Sequence, residues 1–254
     1  MSNILAIARK ELRGYFASPI GYVVAGLYAI VFGYFFAIGL NWFVSQSMQA
    51  PQFGGGPLNI NQQMIRYVFM NSTVVNLFVV PLITMRTYAE EKRSGTIELL
   101  MTSPVTDFQI ITGKFLGALG LYLAMTALTV VHMAVLFIYG SPEWKPILTA
   151  YLGVILLGGS FLAVGLFFSS LTRNQIVAGM FTFAVLLLLW VIDWLGSLGG
   201  PAFESVVSYL SLTGHLEDFL RGVVDTRHLV YYLSFITFGL FLTAKAVDSE
   251  RWRG

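Results

Sequence analysis

Long uncharged apolar stretches alternate with short charged segments along this chain, and the alternation predicts its architecture. Between Gly14 and Ile65, and again between Arg66 and Arg86, there is no Asp, Glu, Lys or Arg. A helix of about 20 apolar residues crosses the hydrocarbon layer of a bilayer. Six stretches reach that length: Ile20 to Val44, Tyr67 to Met85, Phe115 to Tyr139, Ile147 to Leu171, Ile176 to Trp194 and Leu229 to Val247. The second carries Asn71, Ser72, Thr73, Asn76 and Pro81. It is expected inside the bundle, where neighbouring helices satisfy polar groups that lipid cannot. The expected fold is an all-α polytopic membrane protein with six transmembrane helices, one domain over residues 1–254.

Composition agrees. Charged residues make up 11% of the 254 positions, against about 25% in ordinary globular chains, too few to coat a water-facing surface. The net charge of +2 is too small for nucleic-acid binding by bulk electrostatics. With no cysteine, disulfides, thiol catalysis and thiolate metal sites are excluded. A cleaved signal peptide is not expected, because the first apolar run begins near Ile20 and is far longer than the core of such a peptide.

Lys and Arg mark the cytoplasmic loops. Eleven fall on the side that holds the N-terminal segment, the loop after the second span, the loop after the fourth span and the C-terminal tail; four fall on the other. Both termini are therefore expected in the cytoplasm. Residues 45–65, uncharged and rich in Gln, Gly and Pro, read as a flexible external loop. Residues 195–228 carry Glu204, Glu217, Asp218, Arg221 and Asp225 and read as short external helices lying on the bundle.

Chemistry is sparse. No G-x-x-x-x-G-K-[ST] loop occurs, so the chain has no phosphate cradle of that kind and is not itself an ATPase. His132, His215 and His228 are far apart in sequence and H-E-x-x-H spacing is absent, so no metal site is expected. An intramembrane hydrolase would need a Ser activated by a His; Ser160 and His132 are the candidates. Ser160 lies in Gly158-Gly159-Ser160-Phe161-Leu162, which lacks the second Gly of a G-x-S-x-G elbow. Close helix approach accounts better for those small residues. Mid-membrane ionisable residues, which proton relays need, are nearly lacking, so energy for any uphill transport has to enter from outside the spans.

The loop at residues 86–114 offers that entry. Its sequence RTYAEEKRSGTIELLMTSPVTDFQIITGK reads as a charged helical continuation of the second span through Arg93, stopped at Ser94-Gly95. A short helix from Thr96 to about Met101 follows, broken at Thr102-Ser103-Pro104. Thr106-Asp107-Phe108-Gln109 then fits a capping box opening the third span. Ile97, Leu99, Leu100 and Met101 are left seeking a burial partner, either the membrane surface or another protein. At the N-terminus, residues 1–19 put Ile4, Leu5, Ala8, Leu12, Tyr15 and Phe16 on one helical face and Arg9, Lys10 and Arg13 on the other. This is the pattern of an amphipathic helix lying in the lipid headgroups.

The order of ARKELRGYFASPIGY, a first span, and TMRTYAEEKRSGTIELLMTSPVTDFQIITGKFLGAL resembles the ABC-2 family of bacterial ABC-transporter permeases. SLTGHLEDFLRGVVDTRHLVYYLSF resembles the gliding-motility-associated group within it. The resemblance implies a permease subunit of the cytoplasmic membrane, paired with a separate cytoplasmic ABC ATPase that carries the ATP and Mg, usually as two permease and two ATPase chains. It implies a homodimer or a heterodimer of permeases, lipid around it, envelope proteins as further partners, and no cofactor in this chain. It also implies a coupling helix between the second and third spans that docks on the ATPase. Carried over position by position, the contacts are Glu90, Glu91, Arg93, Gly95, Thr96, Glu98, Leu99, Leu100 and Pro104. The polar positions of the second span, Asn71, Ser72, Thr73 and Asn76, are candidates for lining a pathway. Two other functions compete: the hydrolase built on Ser160 and His132, and a membrane anchor for envelope machinery that transports nothing.

Overall fold

The structure, a computed structural model, describes residues 2–49, 58–97, 104–196, 200, 207 and 209–251. Every regular element among them is helical. Helix α1, Ser2–Ala17, stops at Ser18, and α2, Pro19–Gln49, begins at the proline. A proline serves well there, because the first turn of a helix has no partner for its N–H. α2 continues past the expected end of the first span, since nothing from Ser45 to Gln49 breaks a helix. The following residues up to 57 lie outside the described part.

A π-helical turn, Asn61–Ile65, leads into α3, Arg66–Thr84. The Asn61 side chain pins this wide turn: its Nδ2 donates to the Glu143 carbonyl at 2.8 Å and its Oδ1 accepts from the Glu143 N–H at 3.0 Å. After α3 come α4, Ala89–Ser94; α5, Asp107–Leu128; α6, Val130–Tyr139; α7, Trp144–Leu171; α8, Gln175–Gly196; α9, Leu212–Leu220; and α10, Thr226–Arg251. The start of α5 carries the expected capping box, Thr106 Oγ1 accepting from the Gln109 N–H and Gln109 Oε1 from the Thr106 N–H. α5 and α6 form one span interrupted at Thr129, whose hydroxyl lies 2.6 Å from the Thr126 carbonyl and 2.8 Å from the Tyr151 hydroxyl. Such back-bonding bends helices. Of the segment expected outside the membrane, α9 is described, and residues 197–199, 201–206 and 208 lie outside the described part.

Among the described residues six helical stretches are long and apolar enough to cross a membrane, and they coincide with the six expected spans. α3 and α7 form the interior. α7 packs against α3, α5, α8, α9 and α10, and its small residues allow this. A Cβ on Gly158 would stand 2.3 Å from the ring of Tyr122, so the tyrosine rests on bare backbone. There its hydroxyl accepts from Asn76 Nδ2 at 3.0 Å and donates to the Val154 carbonyl at 3.2 Å. Outward faces of the remaining spans are apolar, with Ile30 and Tyr34 on α2, Met180 and Leu188 on α8, and Leu233 and Phe238 on α10 all exposed. A bundle facing hydrocarbon on these sides needs no polar cover.

Candidate functional site

The segment after α3 does not continue straight to Arg93. Residues 85–88 form a turn, and α4 starts afresh at Ala89. Pro81 has already removed one backbone donor from the last turns of α3, and groups freed at the elbow have found partners elsewhere. The Ser169 hydroxyl of α7 accepts from the N–H of Tyr88 at 3.0 Å and of Ala89 at 3.2 Å, and lies 3.3 Å from the Met85 carbonyl. Tyr15 of α1 donates to the Ile83 carbonyl at 3.0 Å. Lys114 of α5 donates to the Thr87 carbonyl at 2.9 Å. Three elements thus hold one bend in the chain.

Lys114 is the centre of this arrangement. Its side chain is wholly buried, with Nζ 3.1 Å from Glu11 of α1, 2.8 Å from Glu91 of α4 and 5.0 Å from the ring centre of Tyr88. Lys10 bridges the same two carboxylates at 3.1 and 2.9 Å. Partial burial lowers the Lys10 ammonium, but Glu11 and Glu91 outweigh it and hold the group above its ordinary value. Four charges that cancel in sign therefore tie α1, α4 and α5 together. Beside them α1 and the elbow enclose a cleft of about 270 Å³, walled by Lys10, Tyr15, Arg86 and Glu90.

Glycine makes the approach of α1 possible. Gly113 and Gly117 stand four apart on α5; a Cβ on Gly117 would lie 2.5 Å from Glu11 Cβ, and one on Gly113 2.7 Å from Ile7 Cβ. α1 thus packs on the third span through Ile7, Ala8 and Glu11, while Leu5, expected on the apolar face, is exposed.

The residues implied as coupling contacts separate into three groups. Glu90, Arg93, Gly95, Thr96 and Pro104 lie at the exposed rim of the loop. Glu90 pairs with Arg86 at 2.9 Å. Gly95 ends α4 with φ 74°, the left-handed cap expected of it. Glu91 faces inward into the clamp, with its side chain only 15% exposed. Glu98, Leu99 and Leu100 lie outside the described residues, as does the remainder of the expected short helix through Met101; of that helix Thr96 and Ile97 are described, and both are helical. Ile97, expected to lack a partner, is buried in the chain's own core.

In the second span Ser72, Thr73 and Asn76 are completely buried, and each is bonded within the bundle. Ser72 and Thr73 donate to the carbonyls of Phe69 and Met70, Trp190 Nε1 donates to Thr73 Oγ1, and Asn76 donates to Tyr122. Asn71 donates back to the Tyr67 carbonyl at 2.8 Å. In this conformation the four act as helix-to-helix and helix-to-self bonds and expose no continuous polar face.

Ser160 and His132 are not brought together as a hydrolase requires. The Ser160 hydroxyl donates to the Leu156 carbonyl at 3.0 Å. His132 lies over Gly33, with the rings of Phe32 and Phe36 at 5.5 and 5.4 Å. Among the described residues no hydrogen bond joins the two.

Residues 37–212, more than half of the chain, match the family described as ABC-2 family transporter protein. A protein of Escherichia coli K12 described as the probable multidrug ABC transporter permease YbhR is 32% identical over 106 residues, covering 41% of this chain and 28% of that protein. Its counterpart in Escherichia coli O157:H7 matches to the same extent. The matched stretch thus spans under a third of those relatives' length. These similarities concern the family and do not reach the gliding-motility group within it. With six helices among the described residues long and apolar enough to cross a membrane, and a family match that reaches most of them, the chain belongs to the ABC-2 family of transporter proteins.

Proposed function

We propose that this subunit couples ATP hydrolysis on a separate cytoplasmic ABC ATPase to export or extraction of a substrate, with the loop at residues 86–114 as the docking element. The observation that carries this reading is the buried clamp on Lys114. It makes the elbow, α1 and the third span one mechanical unit. A force applied at the rim, where Glu90, Arg93, Thr96 and Pro104 are accessible, would therefore move α1 and α5 together. A loosely attached surface loop would dissipate it. On this reading α4 and the clamp lie on the cytoplasmic side, both termini are there too, and the membrane is the bacterial cytoplasmic membrane. Two such chains, identical or similar, work with two ATPase chains.

Apolar side chains in a docking helix anchor best when fully desolvated, and a charge placed there loses that energy and adds a desolvation cost. Replacing Leu99 and Leu100 with Asp is therefore expected to abolish co-purification of the ATPase co-expressed with it, with the spans still inserted. Undiminished pull-down by the double variant would refute the docking assignment. The isolated chain is expected to hydrolyse no ATP.

A further inference from the structure

The external end of the molecule holds a pair of imidazoles that the sequence spacing conceals. His215 lies on α9 one turn before Asp218, so both share a face. After α9 the chain reverses through residues 221–225, with Gly222 at φ 88°, and α10 opens with His228 in its first turn. The reversal brings the two rings to a centroid distance of 4.8 Å, with Nδ1 facing Nδ1 at 2.6 Å.

The outer nitrogens fix the tautomers. His215 Nε2 lies 3.1 Å from the Tyr209 carbonyl and His228 Nε2 lies 2.8 Å from Asp218 Oδ2. A carbonyl and a carboxylate only accept, so each Nε2 carries a proton. In two neutral rings both Nδ1 atoms then present lone pairs, and these point at each other. Lone pairs at that separation repel, so an electrophile belongs between them. A proton satisfies this by turning one ring into imidazolium. A metal ion satisfies it too, and the wiring is that of ligating histidines, whose second N–H is held by a carboxylate or a backbone carbonyl.

The rings are held in place from outside. His215 stacks on Tyr231 at 3.8 Å, and the Tyr231 hydroxyl is anchored on the Leu210 carbonyl at 2.8 Å. Phe219 flanks His228 at 6.2 Å. Both imidazoles also line an open cavity of about 860 Å³, together with Tyr209, Thr226, Arg227 and Tyr231, which leaves room for water to complete a coordination sphere. Metal–imidazole bonds of about 2.0–2.1 Å put two nitrogens of a tetrahedral site roughly 3.3 Å apart. From 2.6 Å the pair has to open by under an ångström, and each ring has to turn by roughly 35° so that the two lone pairs converge on the ion rather than on each other.

From this geometry we infer that His215 and His228 form an external two-imidazole site for a divalent transition metal of the zinc, nickel and copper class, which a proton occupies when the metal is absent. Imidazole donors select these ions over Mg²⁺ and Ca²⁺. Among the described residues no group of three ligating side chains occurs, and the open cavity gives water access to the remaining positions. Two neighbouring carboxylates are already engaged by cations or backbone. Glu217 is engaged by Arg66 and Arg221, and Asp225 Oδ1 accepts from the Arg227 N–H at 2.8 Å. The exposed Arg227 side chain on the cavity wall keeps the affinity modest. Because proton and metal compete for the same two lone pairs, binding weakens as pH falls.

The full chain, carrying no oligohistidine tag and reconstituted in lipid nanodiscs, is titrated calorimetrically with ZnCl₂ and NiCl₂ at pH 7.5 and at pH 5.5, with MgCl₂ as control. One zinc per chain is expected at pH 7.5, weaker binding at pH 5.5 and none for magnesium. His215→Asn and His228→Gln should each lower zinc affinity at least about 10-fold, and Asp218→Asn should lower it by roughly 10-fold through the orienting bond alone. His132→Ala should leave it unchanged. Cu²⁺ bound to the wild-type chain should show nitrogen hyperfine splitting from two imidazoles in its electron paramagnetic resonance spectrum, a readout that remains decisive if a histidine variant fails to fold. Absence of saturable zinc and nickel binding to the wild-type chain, zinc binding that survives both histidine substitutions, or a copper spectrum without two nitrogens would overturn the assignment in favour of a purely proton-sharing pair.

Discussion

At the scale of single residues, Lys114 is a fully buried cation held by two carboxylates. Removing one partner of a buried ion pair leaves the other charge uncompensated and costs about 3–5 kcal/mol, whereas replacing the whole group with neutral residues is often close to neutral. Lys114→Met is therefore expected to destabilise the end of the bundle formed by α1 and α4, by at most about that amount, because Glu11 and Glu91 lose their buried cation and keep only the exposed Lys10 that also bridges them. The triple variant Lys114→Met, Glu11→Gln, Glu91→Gln should recover most of the loss. Melting in detergent, followed by tryptophan fluorescence, distinguishes them; equal midpoints for the single and triple variants would contradict the clamp. Lys10 adds nothing that varies near neutral pH. Its raised value means that its contribution is complete below the ordinary value of 10.5 and is lost only as pH rises through the raised one. A sequence reading uses Lys114 only as one more positive charge on its side of the membrane. Yet a signal was present: Glu11 interrupts the apolar stripe of Ile4, Ile7, Ala8, Leu12 and Tyr15 on α1, and an acid in such a stripe needs a buried cation. His215 and His228 were harder to read, because their meeting depends on the chain reversal at Gly222 and not on any spacing a helix would impose.

At the scale of elements, the six spans and the capping box at Thr106 were legible because each rests on local sequence: apolar length for the spans, side-chain reach over three residues for the cap. The elbow at residues 85–88 was not, since its partners Ser169, Tyr15 and Lys114 come from three distant segments. The packing of α1 is a similar case. A helical wheel gives it an apolar face, but whether that face meets lipid or protein depends on α5, where Gly113 and Gly117 remove the side chains that would hold α1 away. Valine at Gly117 would place branched carbon where Glu11 Cβ now lies 2.5 Å from an added Cβ, with the Ala8 carbonyl at 3.1 Å behind it. Overpacking of this sort costs about 1–3 kcal/mol, and α1 can relieve it by lifting off. Asn3 Nδ2 and Gln109 Oε1 lie 3.3 Å apart across this contact. Cysteines placed at those two positions in a chain that has none of its own should therefore cross-link efficiently with a short bifunctional reagent, and Gly117→Val should cut the yield severalfold. An unchanged yield would mean that α1 is held by the charges alone.

For the molecule as a whole, the bonds of the second span bear on where a substrate would pass. The polar positions of the second span are spent on bonds inside one bundle: Ser72, Thr73 and Asn76 are wholly buried, and the Asn76–Tyr122–Val154 chain of hydrogen bonds links α3, α5 and α7 through the middle of the molecule. Opening a path along that line within one chain would strip several buried groups of their partners, at roughly 1–3 kcal/mol each. A path between two copies leaves these bonds intact, and that favours the proposed two-chain permease. The two sides of α3 then make a specific test. Phe78 is 54% exposed, and its ring lies 5.1 Å from that of Phe183 on α8, so the α3–α8 edge is accessible from outside the bundle. Val75 is 6% exposed and belongs to the core. With a single cysteine in each chain, Phe78→Cys is expected to give cross-linked dimers in native membranes, and more of them when the partner ATPase is co-expressed. Val75→Cys should give none unless transport opens the bundle. Equal cross-linking at both positions would place the path inside the chain, and a transporting complex with only one six-span chain would overturn the dimer.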